Sequence, residues 1–420
     1  MTFQNVIITK NTCFKKIFSL IMASIMVLLL FAGCNNVSPA GSGIVATIPE
    51  ETPAETATEE PSTLPPPVSI NIMMIGDMLM HMPAINSGKK SDGSYNYDHL
   101  FKNILGDIAA ADIAMVNQET ILGGTELGLS AYPCFNSPHE LGDAEVKAGF
   151  NVILHATNHA MDKGTNGIDK CLQFWRTSHP NTAVLGIYDN EEAYKNDIYV
   201  YEKDGFKVAV LNYTYCTNGI NPPANKYYYI NKLDTDKITA DVAKAKQLAD
   251  MVVVCPHWGT EYVYKPDTSV VKWTDLFLSL GVDVVIGTHP HVMENVEVLT
   301  RSDGHQMLVY YSLGNFVSNQ NQMPRMVGGM AKVRLVKASD GTCYIDNYKY
   351  IPVVTHYVNG TDFSAYKLED YTDELAATNG IRRYAGCSDF SLKYIENLCT
   401  QVLGEMYSKQ THRLDVQLHK

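Results

Sequence analysis

Five short apolar runs of this chain each end next to side chains that can bind a metal ion. The six candidate ligands are two carboxylates, one amide and three imidazoles, namely Asp77, Glu119, Asn158, His257, His289 and His291. Two metal ions bound side by side help to hydrolyse a phosphate ester or an amide, because they activate water and stabilise both the attacking and the leaving oxygen. The residue types therefore predict a centre of two divalent ions, with manganese, iron and zinc all compatible.

The apolar runs are typical of buried parallel strands, since they are rich in valine, isoleucine and methionine and are followed by turn-forming residues. They cover residues 70–75, 113–116, 152–154, 251–254 and 282–286. In open α/β sheets, ligands bind beyond the carboxyl ends of such strands. We therefore expect the five strand ends to meet at one site.

Segments with helical spacing of apolar residues lie between these runs and predict an α/β fold. Helices are expected over residues 165–178, 234–250 and 270–280, with Asp236 as the N-cap of the second. Further strands are expected over residues 208–211, 307–311 and 330–336, and their alternation suggests a partly antiparallel second sheet.

The strongest single motif is Gly287-Thr288-His289-Pro290-His291, because the proline fixes the turn that carries both histidines. The motif at Gly76-Asp77 is weaker on its own, since an aspartate after a strand is often a helix N-cap. His81 is compatible with a ligand or with a substrate contact, whereas His155 and Cys255 are expected in the core.

A second group of residues is predicted to handle protons. His159 follows Asn158 directly, and an amide oxygen beside a protonatable imidazole suits a ligand next to a general acid. Asp162 lies in the same motif, and Glu261 follows His257 closely. His159, Asp162 and Glu261 are therefore the candidate catalytic residues.

The first residues of the chain predict a location outside the cytoplasm. Lysines precede an apolar stretch over residues 17–32, which is typical of a secretory signal. The stretch ends in Leu30-Phe31-Ala32-Gly33-Cys34, which resembles a bacterial lipobox, so residues 1–34 are predicted as the signal of a lipoprotein anchored at Cys34. An uncleaved membrane anchor is the alternative.

The rest of the chain is divided by composition. Residues 35–67 are rich in proline, threonine and glutamate, without basic or aromatic residues, and are predicted to be a disordered tether. Residues 68–358 are predicted to form one large α/β domain. Residues 359–420 are expected to be a helical appendage, with one amphipathic helix over residues 390–407.

Charge and cysteine spacing exclude two classes of function. The net charge of −12 and the pI near 5.5 argue against a nucleic-acid partner. Of the nine cysteines, the seven that follow Cys34 show no zinc-finger spacing, so a structural zinc site is not expected.

The order of the motifs resembles the CapA-type proteins, a capsule-synthesis family associated with poly-γ-glutamate. The resemblance covers residues 70–320 and rests on six motifs, namely Gly76-Asp77, Asn117-Gln118-Glu119, residues 157–164, residues 257–262, residues 287–292 and Ser312-Leu313-Gly314-Asn315-Phe316. It implies a metallophosphatase-like fold, similar to calcineurin-like phosphoesterases. Such a fold is a four-layer α/β/β/α sandwich of two mixed β-sheets flanked by helices.

The resemblance also implies a division of the ligands between two ions. Asp77 and His291 would bind one ion, and Glu119 would bridge to the second. The second ion would be held by Asn158, His257 and His289, beside His159 as the acid. Asn315 is expected either to orient a histidine or to belong to a structural turn.

Two functions follow as hypotheses. The first is an extracytoplasmic metal-dependent hydrolase or transferase that acts on an anionic cell-surface polymer such as poly-γ-glutamate, during its synthesis, export or processing. Either an amide or a phosphoester bond would suit the chemistry, and fold alone does not choose between them. The second is a non-catalytic accessory that binds the polymer within a capsule synthase complex.

Overall fold

The computed structural model describes residues 64–419, and these residues belong to one compact unit. The predicted signal (1–34) and nearly all of the predicted tether (35–67) lie outside the described residues. Among the described helices, none has both the length and the apolar composition needed to cross a membrane.

The described strands form two mixed sheets. The first sheet contains ten strands, which are β1 (Val68–Met78), β2 (Ile113–Asn117), β3 (Val152–Leu154), β4 (Ala183–Leu185), β11 (Asn315–Val317), β12 (Val327–Lys337), β13 (Cys343–Val358), β14 (Thr361–Lys367), β15 (Tyr407–Ser408) and β16 (Arg413–Gln417). The second sheet contains six strands, which are β5 (Tyr199–Lys203), β6 (Phe206–Thr214), β7 (Met251–His257), β8 (Val284–Ile286), β9 (Val296–Thr300) and β10 (Gln306–Tyr310).

Each sheet has a parallel centre. In the first sheet, β1 to β4 are parallel neighbours in chain order, and β12 and β13 continue beside β1 as antiparallel strands. In the second sheet, β6, β7, β8 and β10 are parallel, and antiparallel β5 and β9 form the edges. Because neighbouring parallel strands run the same way, their carboxyl ends lie at one edge of each sheet.

Nine α-helices connect the described strands. They are α1 (Met82–Ser87), α2 (Leu105–Ala109), α3 (Glu140–Ala148), α4 (Gly164–Ser178), α5 (Glu191–Asn196), α6 (Thr235–Leu248), α7 (Thr268–Leu280), α8 (Asp373–Thr378) and α9 (Leu392–Leu403).

The alternation of side chains along β7 shows how the layers are held together. Val253 and Cys255 pack into the large core that the second sheet shares with the first. Val252 and Val254 point to the opposite face and pack into a separate core with residues of α6 and α7. Since successive strand residues face opposite ways, one strand serves both cores. The predicted arrangement of two mixed sheets flanked by helices is confirmed.

The predicted elements are largely confirmed, with two local corrections. Each of the five apolar runs overlaps a strand, and the three predicted helices correspond to α4, α6 and α7. The N-cap of α6 is Asp234 rather than Asp236, because the Asp234 carboxylate accepts the Lys237 backbone N–H at 2.9 Å. The strand predicted over residues 330–336 is β12, and it belongs to the first sheet rather than to the second.

Residues 359–420 were expected to be a helical appendage, but the described part of this segment also contains strands. Its predicted long helix is the shorter α9, and the segment also contains β14, β15 and β16. β14 and β16 both pair with β13. The short strands were missed because their buried faces contribute only one to three residues each, which is too few for a periodic pattern.

Candidate metal centre

The six predicted ligands lie together where the carboxyl ends of strands from both sheets meet. Asp77 lies near the end of β1, and Glu119 follows β2 by two residues. Asn158 follows β3, His257 is the last residue of β7, and the two remaining histidines follow β8. The six residues are all at most 2% exposed. The structure therefore brings the five strand ends together in one buried cluster.

His291 connects the two carboxylates. Its Nδ1 lies 3.0 Å from Asp77 Oδ2, and its Nε2 lies 3.6 Å from Glu119 Oε1. Asn315 Oδ1 is also 3.0 Å from His291 Nδ1, which confirms that Asn315 orients a histidine. The imidazole is thus held between groups from β1, from the segment after β2 and from β11.

His257 is held from the second sheet. Its Nε2 lies 2.9 Å from Asn158 Oδ1 and 3.7 Å from Glu119 Oε1. Its Nδ1 lies 3.0 Å from the hydroxyl of Thr288. Thr288 therefore helps to fix the ring, so that Nε2 is turned toward Glu119 and Asn158.

The turn that carries His289 and His291 is strained. Both residues have a positive φ, 104° and 58°, which is uncommon for residues with a side chain. Just before them, Gly287 packs so closely on the next segment that a Cβ would lie 2.1 Å from the carbonyl oxygen of Tyr311. Strain of this kind persists only where the surrounding structure enforces it, and it is concentrated at functional sites.

Several buried polar atoms of the cluster have no hydrogen-bond partner among the described residues. They are both carboxylate oxygens of Glu119, Oδ1 of Asn117 and Nδ1 of His289. Leaving such atoms buried and unpaired costs free energy. A divalent cation satisfies carboxylate oxygens and imidazole nitrogens together, and ligand atoms of Glu119, His289 and His291 lie within 4.8 Å of one another. The residues present therefore fit a metal ion.

The electrostatics of the cluster point the same way. Burial raises the pKa of Glu119 well above its usual value, and the nearby His291 only partly offsets this. Burial lowers the pKa of His257 and of His289 well below the usual value. For His291, burial lowers the pKa, but Glu119 and Asp77 outweigh it and raise the value to about 9. The cluster thus contains two neutral imidazoles, His257 and His289, and one imidazole, His291, whose positive charge is stabilised by the buried acids. A metal ion bound there would take over that positive charge, since metal ligands must be deprotonated.

His159 and Asp162 are in hydrogen-bond contact at the rim of the cluster. His159 Nδ1 lies 2.7 Å from Asp162 Oδ2, and the same oxygen accepts the Phe135 backbone N–H at 2.6 Å. The Phe135 ring packs edge-on against His159 at 4.7 Å. The imidazole is thus positioned on one side by a fixed carboxylate, as in a general acid or base.

Glu261 is placed differently from the other candidate catalytic residues. It lies on the loop after β7 and is exposed, and within residues 64–419 its carboxylate makes no direct contact with the six buried candidate ligands. Its charge nevertheless acts on Glu119 and His291. The structure brings His159 and Asp162 to the centre and leaves Glu261 exposed on the loop after β7.

The other histidines and the cysteine are assigned as follows. His155 accepts the indole N–H of Trp175 at 3.1 Å in the core, and Cys255 is 1% exposed, so both expectations are confirmed. His81 packs edge-on against Phe135 at 5.3 Å and makes its hydrogen bonds to backbone rather than to the predicted ligands.

Some residues of the site were not predicted as part of it. Asn117 donates to Asp77 Oδ1 at 2.9 Å, Tyr215 packs against His289 with ring centroids 4.6 Å apart, and Asn218 lies 3.4 Å from His159 Nδ1. Asn117 could have been predicted from the sequence, because it lies two residues before Glu119 and alternate residues of a strand face the same side. Tyr215 and Asn218 lie on a loop after β6 that carries no recognisable motif.

The chain is similar to known capsule synthesis proteins. The family described as bacterial capsule synthesis protein PGA_cap matches residues 71–320. The capsule biosynthesis protein CapA of Bacillus anthracis is 25% identical over 291 residues, which are 66% of this chain and 66% of that protein. The PGA biosynthesis protein CapA of Bacillus subtilis (strain 168) is 28% identical over 192 residues, 46% of this chain and 49% of that protein.

This chain thus spans just under two thirds and about half of the lengths of these two relatives. Among solved structures, the NAD nucleotidase of Haemophilus influenzae has a TM-score of 0.44 and 11% identity, over 69% of this chain and 50% of that one. The 5'-nucleotidase precursor of Thermus thermophilus has a TM-score of 0.42 and 13% identity, over 68% and 54%. Because the family match covers more than half of the sequence, the chain belongs to the bacterial capsule synthesis protein family PGA_cap.

Proposed function

We propose that this protein is an extracytoplasmic, metal-dependent hydrolase that acts on an anionic capsule polymer, of which poly-γ-glutamate is the first candidate. The observation that carries the proposal is Glu119, a fully buried carboxylate whose oxygens have no hydrogen-bond partner within residues 64–419. Imidazole nitrogens of His291 and His257 lie 3.6 and 3.7 Å from its Oε1. A buried acid in that environment needs a cation. Membership of a capsule synthesis family supports the choice of polymer.

The ligands would divide between two ions at the strand ends. Asp77 and His291 would hold one ion, and His257 with Asn158 and His289 would hold the other. Glu119 Oε1 lies within 3.7 Å of both His257 and His291, and the ligand atoms of Glu119, His289 and His291 lie within 4.8 Å of one another. When bound, such ions act as Lewis acids that activate water and polarise the bond to be broken.

His159 is the residue that would move a proton. Because the Asp162 carboxylate accepts the proton on Nδ1, Nε2 of the neutral ring is left as an acceptor. When the ring is protonated, Asp162 stabilises its charge and Nε2 donates a proton to the leaving group. At 6% exposure, His159 is open enough to meet a substrate and buried enough to hold one orientation.

The test uses the purified full-length chain loaded with manganese or zinc, together with poly-γ-glutamate and a phosphodiester as alternative substrates. New amino groups would report amide cleavage, and released alcohol would report phosphoester cleavage. We expect activity in the wild type and a loss of at least about 100-fold in His159→Gln.

Measuring the metal content distinguishes the candidate proton donor His159 from the candidate metal ligand Glu119. His159→Gln should keep its metal, whereas Glu119→Gln should lose both metal and activity. A wild-type chain that binds the polymer and metal but cleaves neither substrate would contradict the hydrolase and favour the accessory role within a synthase complex.

The location is part of the proposal and rests on the lipobox-like sequence that ends at Cys34, which lies outside the described residues. Lipidation of this cysteine would anchor the domain on the outer side of the membrane, close to capsule polymer and to synthase subunits. In cells, Cys34→Ser should move the protein from the membrane fraction to the soluble fraction. Retention of the variant in the membrane would favour an uncleaved anchor.

A further inference from the structure

An arginine lies beside the metal centre on the face of a tyrosine. The guanidinium carbon of Arg325 is 3.5 Å from the ring centroid of Tyr262, and that ring is 6.0 Å from the ring of His291. A cation on the face of an aromatic ring is attracted by the ring's electron density. Tyr262 therefore holds a positive charge next to the candidate ligands.

The position of this arginine is fixed by the same residue that orients His291. The side-chain N–H₂ of Asn315 donates to the backbone oxygen of Arg325 at 3.0 Å and to the Gln320 side chain at 3.0 Å, while its oxygen lies at His291 Nδ1. Gln320 in turn donates to the Tyr262 hydroxyl at 3.2 Å. A closed set of contacts thus links the arginine, its tyrosine and the metal centre.

The tyrosine is itself held by the turn that carries the histidines. The backbone N–H of Tyr262 donates to the carbonyl oxygen of Pro290 at 2.8 Å, and Tyr262 has a positive φ of 66°. The backbone of Tyr262 is therefore fixed to this turn, while Arg325 and Gln320 contact its ring and its hydroxyl.

Arg325 differs from the other arginines of the described chain because its guanidinium has no acceptor. Each of the others makes a hydrogen bond or an ion pair, and they are Arg176, Arg301, Arg334, Arg382, Arg383 and Arg413. Within residues 64–419, the Arg325 guanidinium makes none, and its Nε is buried without a partner. In a chain with 45 acidic residues and 33 basic ones, an arginine left without a carboxylate points to an external anion.

We infer that Arg325 binds an anionic group of the substrate while the bond to be cleaved lies at the metal centre. This inference rests on the proposed function, and it specifies which chemical group of the substrate the site recognises. The guanidinium matches a carboxylate or a phosphate in a two-pronged hydrogen bond. A polymer with a charge on every unit places one such group close to each bond.

A cleft of about 660 Å³ is lined by Tyr264 and Lys265, of the same loop as Tyr262, and by Glu297. The charge of Arg325 also acts on the phenol of Tyr264. Within this cleft Lys265 would attract further units of an anionic chain, whereas Glu297 would repel them.

The test measures binding of three probes to the metal-loaded full-length chain by fluorescence anisotropy. The probes are a γ-linked glutamate oligomer, the same oligomer with its free carboxylates methyl-esterified, and a glycerol phosphate oligomer. Arg325→Ala should raise the Kd of one charged probe about tenfold or more and leave the Kd of the esterified probe unchanged. The probe with the larger change identifies carboxylate or phosphate as the anion.

Two variants control the result. Arg325→Lys keeps the charge but not the two-pronged geometry, so it should recover only part of the affinity. Arg334→Ala removes an arginine that is ion-paired on β12 and should bind every probe as the wild type does. Unchanged metal content and melting temperature in Arg325→Ala separate a binding defect from a folding defect.

Equal affinity of wild type and Arg325→Ala for both charged probes would overturn the inference, as would a wild type that binds neither. Failure of the proposed hydrolase looks different. In that case the wild type would cleave nothing, yet its binding of a charged probe would still depend on Arg325.

Discussion

The two ring nitrogens of His291 lie against two different carboxylates, with Nδ1 3.0 Å from Asp77 Oδ2 and Nε2 3.6 Å from Glu119 Oε1. The two acids come from neighbouring parallel strands of the first sheet, and the histidine comes from a turn after the second sheet. One imidazole therefore joins the two sheets at the point where the acidic groups are most concentrated.

Removal of this imidazole should weaken the metal-free protein as well as the metal site. In His291→Ala, Asp77 keeps its buried carboxylate but loses the cation beside it, which typically costs about 3–5 kcal/mol. The free energy of unfolding, measured by chemical denaturation in the presence of a chelator, should fall by an amount of that order. His419→Gln, at an exposed position, is the matched control. If His291→Ala were as stable as this control, the contact between His291 and Asp77 would not stabilise the fold.

Gly76 should tolerate no side chain, because a Cβ there would lie 1.9 Å from the carbonyl oxygen of Gly314. That oxygen also accepts the backbone N–H of Asp77 at 2.9 Å, so any shift moves the first carboxylate. Gly76→Ala is expected to lose about 1–3 kcal/mol of stability and part of its bound metal, as measured by denaturation and elemental analysis.

Gly106→Ala is the control for this substitution. Gly106 lies in α2, and a Cβ added there would meet no atom of a neighbouring segment within 4 Å. Alanine at this position should stabilise the helix by about 0.5–1 kcal/mol. If Gly76→Ala and Gly106→Ala changed the free energy of unfolding equally, close packing would not explain why a glycine is needed at position 76.

His155 should make the protein sensitive to acid. Burial lowers its pKa from 6.5 to about 3, and the ring accepts the Trp175 N–H at Nε2, so a proton on that nitrogen would break the bond. The unfolded chain takes up this proton near pH 6.5, whereas the folded chain does so only near pH 3. The stability that the neutral ring contributes is therefore complete above pH 6.5 and is lost as the pH falls toward 3.

The corresponding measurement is the free energy of unfolding between pH 7 and pH 4 with a chelator present. His155 alone should contribute a loss of up to about 1.4 kcal/mol per pH unit in this range. His155→Gln keeps an acceptor for Trp175 without a titrating ring, so its stability should depend less steeply on pH. An identical pH dependence in wild type and variant would assign the acid sensitivity elsewhere.

The candidate ligands could be predicted from the sequence because they follow apolar runs that are readily recognised as buried strands. The apolar run over residues 251–254 identifies a buried strand. His257 follows this run by three residues, so it could be assigned to the end of the strand from the sequence alone. The Gly-Thr-His-Pro-His motif identified two more ligands for the same reason. The sequence did not reveal that β1 to β3 and β7 to β8 belong to different sheets, since that depends on packing between layers.

The contacts that refine the site could not be read from the sequence. Thr288 meets His257 across two strand ends, and Arg325 reaches Tyr262 although the two are far apart in the chain. Such contacts depend on loop conformation and on tertiary packing, neither of which leaves a periodic pattern. The short strands after residue 359 were missed for a related reason, since they are specified by their pairing with β13.

The central claim is that the buried cluster binds divalent metal, and elemental analysis of the purified full-length chain tests it most directly. Wild type should contain about two equivalents of manganese, iron or zinc per chain, as expected for a two-metal hydrolytic centre. Glu119→Gln, which keeps the size of the side chain and removes the shared carboxylate, should lose most of this metal while remaining folded. A wild type that contains no metal after incubation with each ion, or a Glu119→Gln variant that retains the full amount, would contradict the account.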